Sequence, residues 1–278
     1  MKCFDVVQTV LDATYEEVPD KSGKRDASIT KALKKMSDQY KKHLMDEGGP
    51  DFDDPATRFG YVFKYVPAHA HWLFELINEC PQAEAVLLNG KARIACIGGG
   101  PGSDVVGVLK YLDEKNVECK LFVELIDGCE AWKSTWSDLA FQLDWDDSLH
   151  TDYVIHDVSD EDTWSSPCKI GKADIITLNF FVSEVFHLGT AKKYLNKMLA
   201  DTKSGALLFV NDNRTSDVWE LIDKIAAECE FKTLRSEMGE RKIYDWGESL
   251  DTLKIYAAKF GETSRLTGKM FWRVYQKQ

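Results

Sequence analysis

The sequence of 278 residues lacks the features that mark several classes of protein. It has no apolar run of about 18 residues, the length that a membrane-spanning helix needs. Residues 1–5 lack the apolar run and the cleavage site of a secretory signal. The seven cysteines form no CxxC pair, and neither cysteine nor histidine occurs at zinc-ligand spacing. These absences predict a cytoplasmic protein with free thiols, no membrane contact, no metal site and no disulfide framework.

Basic residues are scarce as well. The chain has 35 Lys and Arg against 46 Asp and Glu, a net charge of −11, which disfavours non-specific nucleic-acid binding. Residues 21–42 are the exception, because their eight Lys and Arg outweigh Asp26 and Asp38 and leave a local charge of +6. A solvated helix face explains this segment, and contact with RNA or an acidic partner is the alternative.

The composition changes near residue 90. Residues 1–92 are typical of an irregular N-terminal helical cap or lid, whereas residues 93–278 alternate between strand and helix patterns. This alternation predicts an α/β fold with a doubly wound, mostly parallel seven-stranded sheet, and with one antiparallel strand at the edge. The predicted strands are Arg93–Ile97, Lys120–Ile126, Tyr153–His156, Asp174–Leu178, Ala206–Val210, Phe231–Arg235 and Met270–Tyr275.

A glycine-rich segment, CIGGGPGSD, joins the first of these strands to a helix. Glycine allows a sharp turn and a close approach of the backbone to a ligand, and the helix N-terminus offers free N–H groups. The dinucleotide fingerprint GxGxxG fails, because the sixth position is Ser103 when counted from Gly98 and Val105 when counted from Gly100. The pattern present is GxGxG at Gly98, Gly100 and Gly102. It predicts a nucleotide-like ligand above the first strand and disfavours an NAD-dependent oxidoreductase.

From Arg93 to its C-terminus the chain resembles the class I S-adenosylmethionine-dependent methyltransferases. The resemblance implies a Rossmann-like fold and S-adenosyl-L-methionine as cofactor, bound by the three glycines and by Asp104 at the helix start. It implies that Asp127, at the end of the second strand, holds the ribose hydroxyls, with Glu124 as the second choice. Cys96 stands where many members carry a carboxylate, which predicts that carbonyl groups and N-terminal residues hold the cofactor amine.

The resemblance extends to the strands that follow. After the third strand it places Asp157 near the adenine amine and Val158 against the ring, although an ordinary strand-end turn explains both residues equally well. After the fourth strand it places Asn179 beside the methyl group. Asn179 matches only the first residue of the Asn-Pro-Pro-aromatic motif, so the subclass of nucleic-acid and protein amino methyltransferases is not supported.

Methyl transfer from a sulfonium is an in-line displacement, and a base is needed only when the nucleophile arrives protonated. The candidate catalytic residues are Tyr65, His69 and Glu184. The aromatic run over residues 58–65 is a candidate lid that excludes water. The alternative is that these aromatic residues and histidines only pack the N-terminal helices onto the sheet.

These observations predict an S-adenosylmethionine-dependent methyltransferase, with a small molecule favoured as the acceptor. The alternatives are an RNA methyltransferase, in particular one acting on a ribosomal RNA base, and a non-catalytic module that binds the cofactor. The sequence leaves the acceptor atom and the oligomeric state open.

Overall fold

The computed structural model describes residues 2–42, 49–143, 145, 148–243, 251 and 253–278. Its strands form one seven-stranded sheet in the order β3-β2-β1-β4-β5-β7-β6. The strands are β1 Lys91–Ile97, β2 Lys120–Asp127, β3 Leu149–Ile155, β4 Ile175–Asn179, β5 Leu207–Asn213, β6 Phe231–Lys242 and β7 Thr267–Lys277. In this part of the chain, no helix is both long and apolar enough to cross a membrane.

The sheet confirms the doubly wound, mostly parallel fold. Strand β1 pairs in parallel with both β2 and β4, so the strand order reverses between β1 and β4. Ligands of open α/β sheets bind in the crevice at such a point, beyond the carboxyl ends of the strands. The antiparallel strand is β7, which pairs with β5 and β6. Its expected place at the edge is wrong, because β6 takes the edge and runs parallel to β5.

Helices cover both faces of the sheet. They are α1 Cys3–Glu17, α2 Arg25–Lys42, α3 Pro55–Lys64, α4 Val66–Asn78, α5 Pro81–Leu87, α6 Ser103–Lys115, α7 Trp132–Leu143, α8 Val182–Val185, α9 Ala191–Ala200, α10 Ser216–Glu228 and α11 Lys254–Phe260. Two short 3₁₀ turns, Glu161–Ser165 and Ile170–Lys172, lie between β3 and β4.

The alternation of side chains along β1 produces two cores. Ala92, Ile94 and Cys96 point into the core that contains α1–α7 and α11, whereas Ala95 and Ile97 point into the core that contains α8–α10. Successive side chains of a strand face opposite sides of the sheet, so a strand buried on both sides reads as a continuous apolar run. The N-terminal helices therefore share a hydrophobic core with the sheet, and the domain boundary at residue 92 stays a prediction.

Helix α4 packs closely on α6, which follows the glycine-rich segment. At Gly107 of α6, an added Cβ would lie 2.6 Å from the carbonyl oxygen of Ala70 in α4. The two backbones approach this closely only because Gly107 has no side chain. Pro67 lies in the first turn of α4, where its missing N–H costs no hydrogen bond, and α3 ends just before it at Lys64.

This contact predicts that Gly107→Ala destabilises the protein by about 1–3 kcal/mol, because overpacking moves backbone that cannot relax cheaply. Urea unfolding followed by circular dichroism measures the difference. Gly189→Ala is the matched control, since a methyl group there meets nothing within 4 Å. Equal stability of the two variants would show that α4 yields without cost.

Candidate active site

One cavity of about 170 Å³ opens at the carboxyl ends of the parallel strands. It lies where the strand order reverses, as the fold predicts. The predicted cofactor residues in its wall are Gly98, Gly100, Asp127, Asp157, Val158 and Asn179, joined by the predicted catalytic residue Glu184. Four predicted residues, Gly102, Asp104, Tyr65 and His69, are not among its lining residues. We call this cavity the main pocket.

The three glycines of the loop have positive φ angles but different surroundings. A Cβ on Gly98 would lie 2.1 Å from the ring of Phe181, and one on Gly102 would lie 2.2 Å from the ring of Trp136. Both glycines therefore make room for aromatic side chains of the protein itself. A Cβ on Gly100 would clash with nothing and would make only ordinary van der Waals contacts, the nearest with Oδ2 of Asp127 and Nε1 of Trp132 at 3.9 Å. Gly100 is thus the glycine that leaves its side of the loop free for a ligand.

Asp127 ends β2 and faces the glycine loop. Its two carboxylate oxygens each accept one backbone N–H at 2.9 Å, Oδ2 from Gly100 and Oδ1 from Cys129. Burial raises the pKa of Asp127 to about 6. Each oxygen keeps a lone pair for a further donor. Glu124, the second choice from the sequence, lies outside the pocket and accepts the N–H of Lys169.

The residues after β3 present a buried acceptor. Nε2 of His156 lies 3.0 Å from the carbonyl oxygen of Ser166, which can only accept, so the proton is on Nε2. The other ring nitrogen, Nδ1, is buried without a partner, and in the neutral ring it is an acceptor. Asp157 uses Oδ1 to accept from the N–H and the hydroxyl of Ser159, and Val158 is buried in the pocket wall. Sequence reasoning missed His156 because an orphaned nitrogen has no signature in the sequence.

Asn179 ends β4 and joins three elements. Its Nδ2 donates to Oδ1 of Asp104 in α6 at 2.8 Å and to the carbonyl oxygen of His69 in α4 at 3.2 Å. Thr177 also donates to Asp104, whose pKa is raised by burial. Since both partners of Nδ2 only accept, the orientation of the amide is determined, and its Oδ1 is left buried without a hydrogen bond. Phe180 follows with a φ of +58°, a strained conformation that turns the chain at the pocket.

Cys96, near the end of β1, has the carboxyl group of Asp104 nearby. Burial and the charge of Asp104 both raise the pKa of its thiol, and the hydroxyl of Thr177 contacts both side chains. Asp104 therefore places a carboxyl group close to the strand end, where the residue at position 96 supplies none.

Three aromatic rings form a wall at the mouth of the main pocket. Phe52 and Tyr61 of the N-terminal region and Trp132 of α7 have ring centroids 4.9–5.4 Å apart. The predicted lid over residues 58–65 thus contributes Tyr61 directly. Phe52 was not predicted, because it lies in a turn-rich acidic stretch with no periodicity that reveals its direction.

Glu184 is the predicted catalytic residue that reaches the pocket. It lies on α8, where Tyr40 of α2 donates to its Oε1 at 2.9 Å. Burial raises its pKa to about 8, and the nearby carboxylate of Asp212 contributes to the shift. Asp212 is itself buried, with its pKa raised to about 6, and it accepts the N–H of Ser183 at the start of α8. Neither Tyr40 nor Asp212 was predicted from the sequence.

Tyr65 and His69 lie behind this wall. Burial raises the pKa of Tyr65 to about 12 and lowers that of His69 to about 3, so both side chains are neutral near pH 7. The ring of His69 is stacked on Phe180 with centroids 4.1 Å apart. Their predicted catalytic roles stay predictions, and the packing shown here also accounts for their burial.

Comparison with known proteins gives weak likenesses only. No family model matches the chain, and no curated protein matches its sequence. Among solved structures, a SAM-dependent methyltransferase from Methanosarcina mazei is 11% identical with a TM-score of 0.47, over 71% of this chain and 97% of that one. An O-methyltransferase family protein from Burkholderia thailandensis is 13% identical with a TM-score of 0.49, over 82% and 61% of the two chains.

A third such structure is the N-methyltransferase NodS from Bradyrhizobium japonicum in complex with S-adenosyl-L-homocysteine. It is 13% identical with a TM-score of 0.45, over 73% of this chain and 87% of that one. Likeness at this level says nothing about the activity of this chain. The strand order, with its single antiparallel strand β7 among the described residues, is that of a Rossmann-like α/β fold with the candidate site in the crevice between β1 and β4.

Proposed function

We propose that the protein binds S-adenosyl-L-methionine in the main pocket and transfers its methyl group to an acceptor. The observation that carries this proposal is the set of unsatisfied groups in the pocket wall. Nδ1 of His156 and Oδ1 of Asn179 are buried acceptors without partners, and Asp127 offers a carboxylate beside the open face of Gly100. Buried polar atoms are rarely left unpaired, so this pattern favours a ligand with several donors.

The donors of the cofactor fit this set. The carboxylate of Asp127 would accept the two ribose hydroxyls, and Nδ1 of His156 or the free oxygen of Asp157 would accept the adenine amine. Oδ1 of Asn179 would accept the amine of the methionine part, with Asp104 holding the amide in place. The aromatic wall of Phe52, Tyr61 and Trp132 would exclude water and attract the sulfonium charge. This arrangement replaces the carboxylate that position 96 lacks.

When bound, the cofactor supplies a methyl group on a good leaving group, and the protein has to align the nucleophile and remove its proton. We assign the proton transfer to Glu184, which lines the pocket and has a pKa of about 8. A base with a pKa near the working pH combines the required ionisation with a useful basicity. The pKa of His69, about 3, makes it a far weaker base.

An RNA acceptor is the second candidate, and the helix α2 favours it. Lys31, Lys34 and Lys35 are exposed there, whereas the side chains of Lys41 and Lys42 lie outside the described residues. If RNA is the acceptor, a variant with glutamine at the three exposed positions binds RNA more weakly and with a shallower salt dependence, because fewer counterions are released. Filter binding between 50 and 200 mM salt measures both quantities. Absence of RNA binding at the lower salt would remove this candidate.

The proposed ribose contact predicts the effect of Asp127→Asn. Its affinity for S-adenosyl-L-homocysteine should fall roughly 10- to 100-fold, since hydrogen bonds to a charged group contribute about 1.5–3 kcal/mol. Isothermal titration calorimetry measures the change. Glu124→Gln on the same strand is the control, because its side chain lies outside the pocket, and it should bind as the wild type does. A wild-type protein that does not bind S-adenosyl-L-homocysteine would overturn the proposed function itself.

The raised pKa of Glu184 predicts a pH-dependent effect of Glu184→Gln on stability. The folded protein holds this proton more tightly than the unfolded chain, whose Glu pKa is 4.5. The carboxyl group therefore does not lower the free energy of unfolding below pH 4.5, and it lowers that free energy progressively as the pH rises from 4.5 through about 8. The Gln variant should gain at least about 1.4 kcal/mol on the wild type between pH 5 and pH 8.5, the equivalent of one pKa unit.

Urea unfolding at both pH values measures this gain. Groups that titrate in both proteins cancel in the difference, so the gain reports on Glu184 alone. A difference that stays constant between the two pH values would show that Glu184 ionises as it does in water and is not a tuned base.

A further inference from the structure

A second cavity, of about 490 Å³, adjoins the main pocket and shares Glu184 with it. Its wall contains the pair Glu184 and Tyr40, together with three cationic side chains, Arg214, Arg265 and Lys269. We propose that this cavity is the acceptor site, and that it takes a small molecule with a carboxylate or phosphate group. The proposal rests on the proposed function, because it assigns the substrate class of the same site.

The arginines of the chain single out this cavity. All eight lie in the described residues, and five of them, at positions 25, 58, 235, 241 and 273, form ion pairs. Arg93 lies over the ring of Phe122 at 4.9 Å. Only Arg214 and Arg265 have neither an ion pair nor an aromatic partner among the described residues, and both line this cavity. In a protein with a net charge of −11, carboxylates are abundant, so two unpaired guanidinium groups at one cavity indicate an anionic ligand.

The backbone holds the cations in place. Arg214 follows β5 and donates its N–H to the carbonyl oxygen of Lys269 in β7 at 3.2 Å, so the two side chains start from neighbouring points. Arg265 precedes β7 and donates its N–H to the carbonyl oxygen of Lys64 at the end of α3. The cations therefore extend from sheet termini and not from a free loop. Guanidinium groups bind carboxylate and phosphate through paired N–H donors.

A further unsatisfied polar atom lies in the same cavity. His187 lines it, and Nδ1 of this side chain is buried without a hydrogen-bond partner. The positive charge of Arg265 also acts on buried groups. It contributes to the lowered pKa of His69, and it opposes the rise that burial causes in the pKa of Tyr65. A ligand anion would pair with the cations and complete the hydrogen bonding of His187 at once.

The position of Glu184 relates the cavity to methyl transfer. An acceptor whose anion lies at the cations points its other end toward Glu184 and the main pocket. In the transfer, the bond from the nucleophile to the methyl carbon forms as the bond from that carbon to sulfur breaks, and its electron pair stays on sulfur. The proton of the nucleophile passes to the ionised carboxylate of Glu184. The charges suit an acceptor with an anion at one end and a protonated nucleophile, such as an amine, at the other.

Inorganic phosphate is the probe for the anion site. With the protein saturated in S-adenosyl-L-homocysteine, a ³¹P NMR titration should show binding that is at least 10-fold weaker in a variant carrying Arg214→Gln and Arg265→Gln. Lys31→Gln, an exposed cation on α2, is the matched control and should bind as the wild type does. Equal phosphate binding by the wild type and the double variant would overturn the proposal.

Turnover provides an independent readout. Wild-type protein with methyl-labelled cofactor and a small-molecule extract should give a labelled product that an anion exchanger retains at a pH above the pKa of amines, where the product carries only its anionic charge. In the double variant the KM for the acceptor should rise at least 10-fold, while kcat and the affinity for S-adenosyl-L-homocysteine stay unchanged.

The outcomes separate the two proposals. A labelled product that passes the anion exchanger, or label on RNA alone, would overturn the anionic small molecule and leave methyl transfer standing. Failure to bind S-adenosyl-L-homocysteine would overturn the proposed function instead, whatever the phosphate titration shows.

Discussion

The buried contact between Asp104 and Asn179 is the constraint on which the site depends. It joins the first turn of α6 to the end of β4, and the same amide reaches the carbonyl oxygen of His69 in α4. A carboxylate this deeply buried is tolerable only while its hydrogen bonds are made, so Thr177 and Asn179 must keep their places. The network therefore holds the glycine loop, the strand end and the N-terminal helices in one arrangement, and it leaves Oδ1 of Asn179, a residue of the pocket wall, without a hydrogen bond.

A second consequence of this constraint concerns the N-terminal helices. They are an integral part of the domain, because α4 contacts the backbone of α6 at Gly107 and accepts a hydrogen bond from Asn179 of β4 through the carbonyl oxygen of His69. With α4 held there, Tyr61 at the end of α3 reaches the mouth of the main pocket and Tyr40 of α2 reaches Glu184. The region that looked irregular in sequence thus supplies one wall of the site and the partner of its candidate base.

The sequence predicted those features of the structure that depend on short stretches of neighbouring residues. Strand and helix alternation predicted the sheet, and the glycine-rich turn, with Asp127 after the next strand, located the main pocket. The sequence did not predict His156, Asp212 or Tyr40, because the importance of these residues comes from tertiary contacts. His156 has an unpaired ring nitrogen, Asp212 accepts a hydrogen bond at the start of α8, and Tyr40 donates to Glu184 from a distant helix. The antiparallel strand was predicted at the edge of the sheet but lies between β5 and β6, because the order of pairing depends on how the last two strands pack and not on their composition.

Charge is distributed across the two cavities in opposite senses. Asp127 and Glu184 line the main pocket, with Asp212 close to Glu184, and burial raises the pKa of all three carboxyl groups. The unpaired arginines line the second cavity, which shares Glu184. In the proposed mechanism, such a gradient would stabilise a sulfonium and a protonated nucleophile at the carboxylates and would orient an anion the other way. The positive charge of the sulfonium would also favour the ionised form of Glu184, which is the form that can accept a proton. The same desolvation that makes Glu184 costly to the fold at high pH raises its basicity, so in the proposed mechanism its burial would serve proton transfer at the expense of stability.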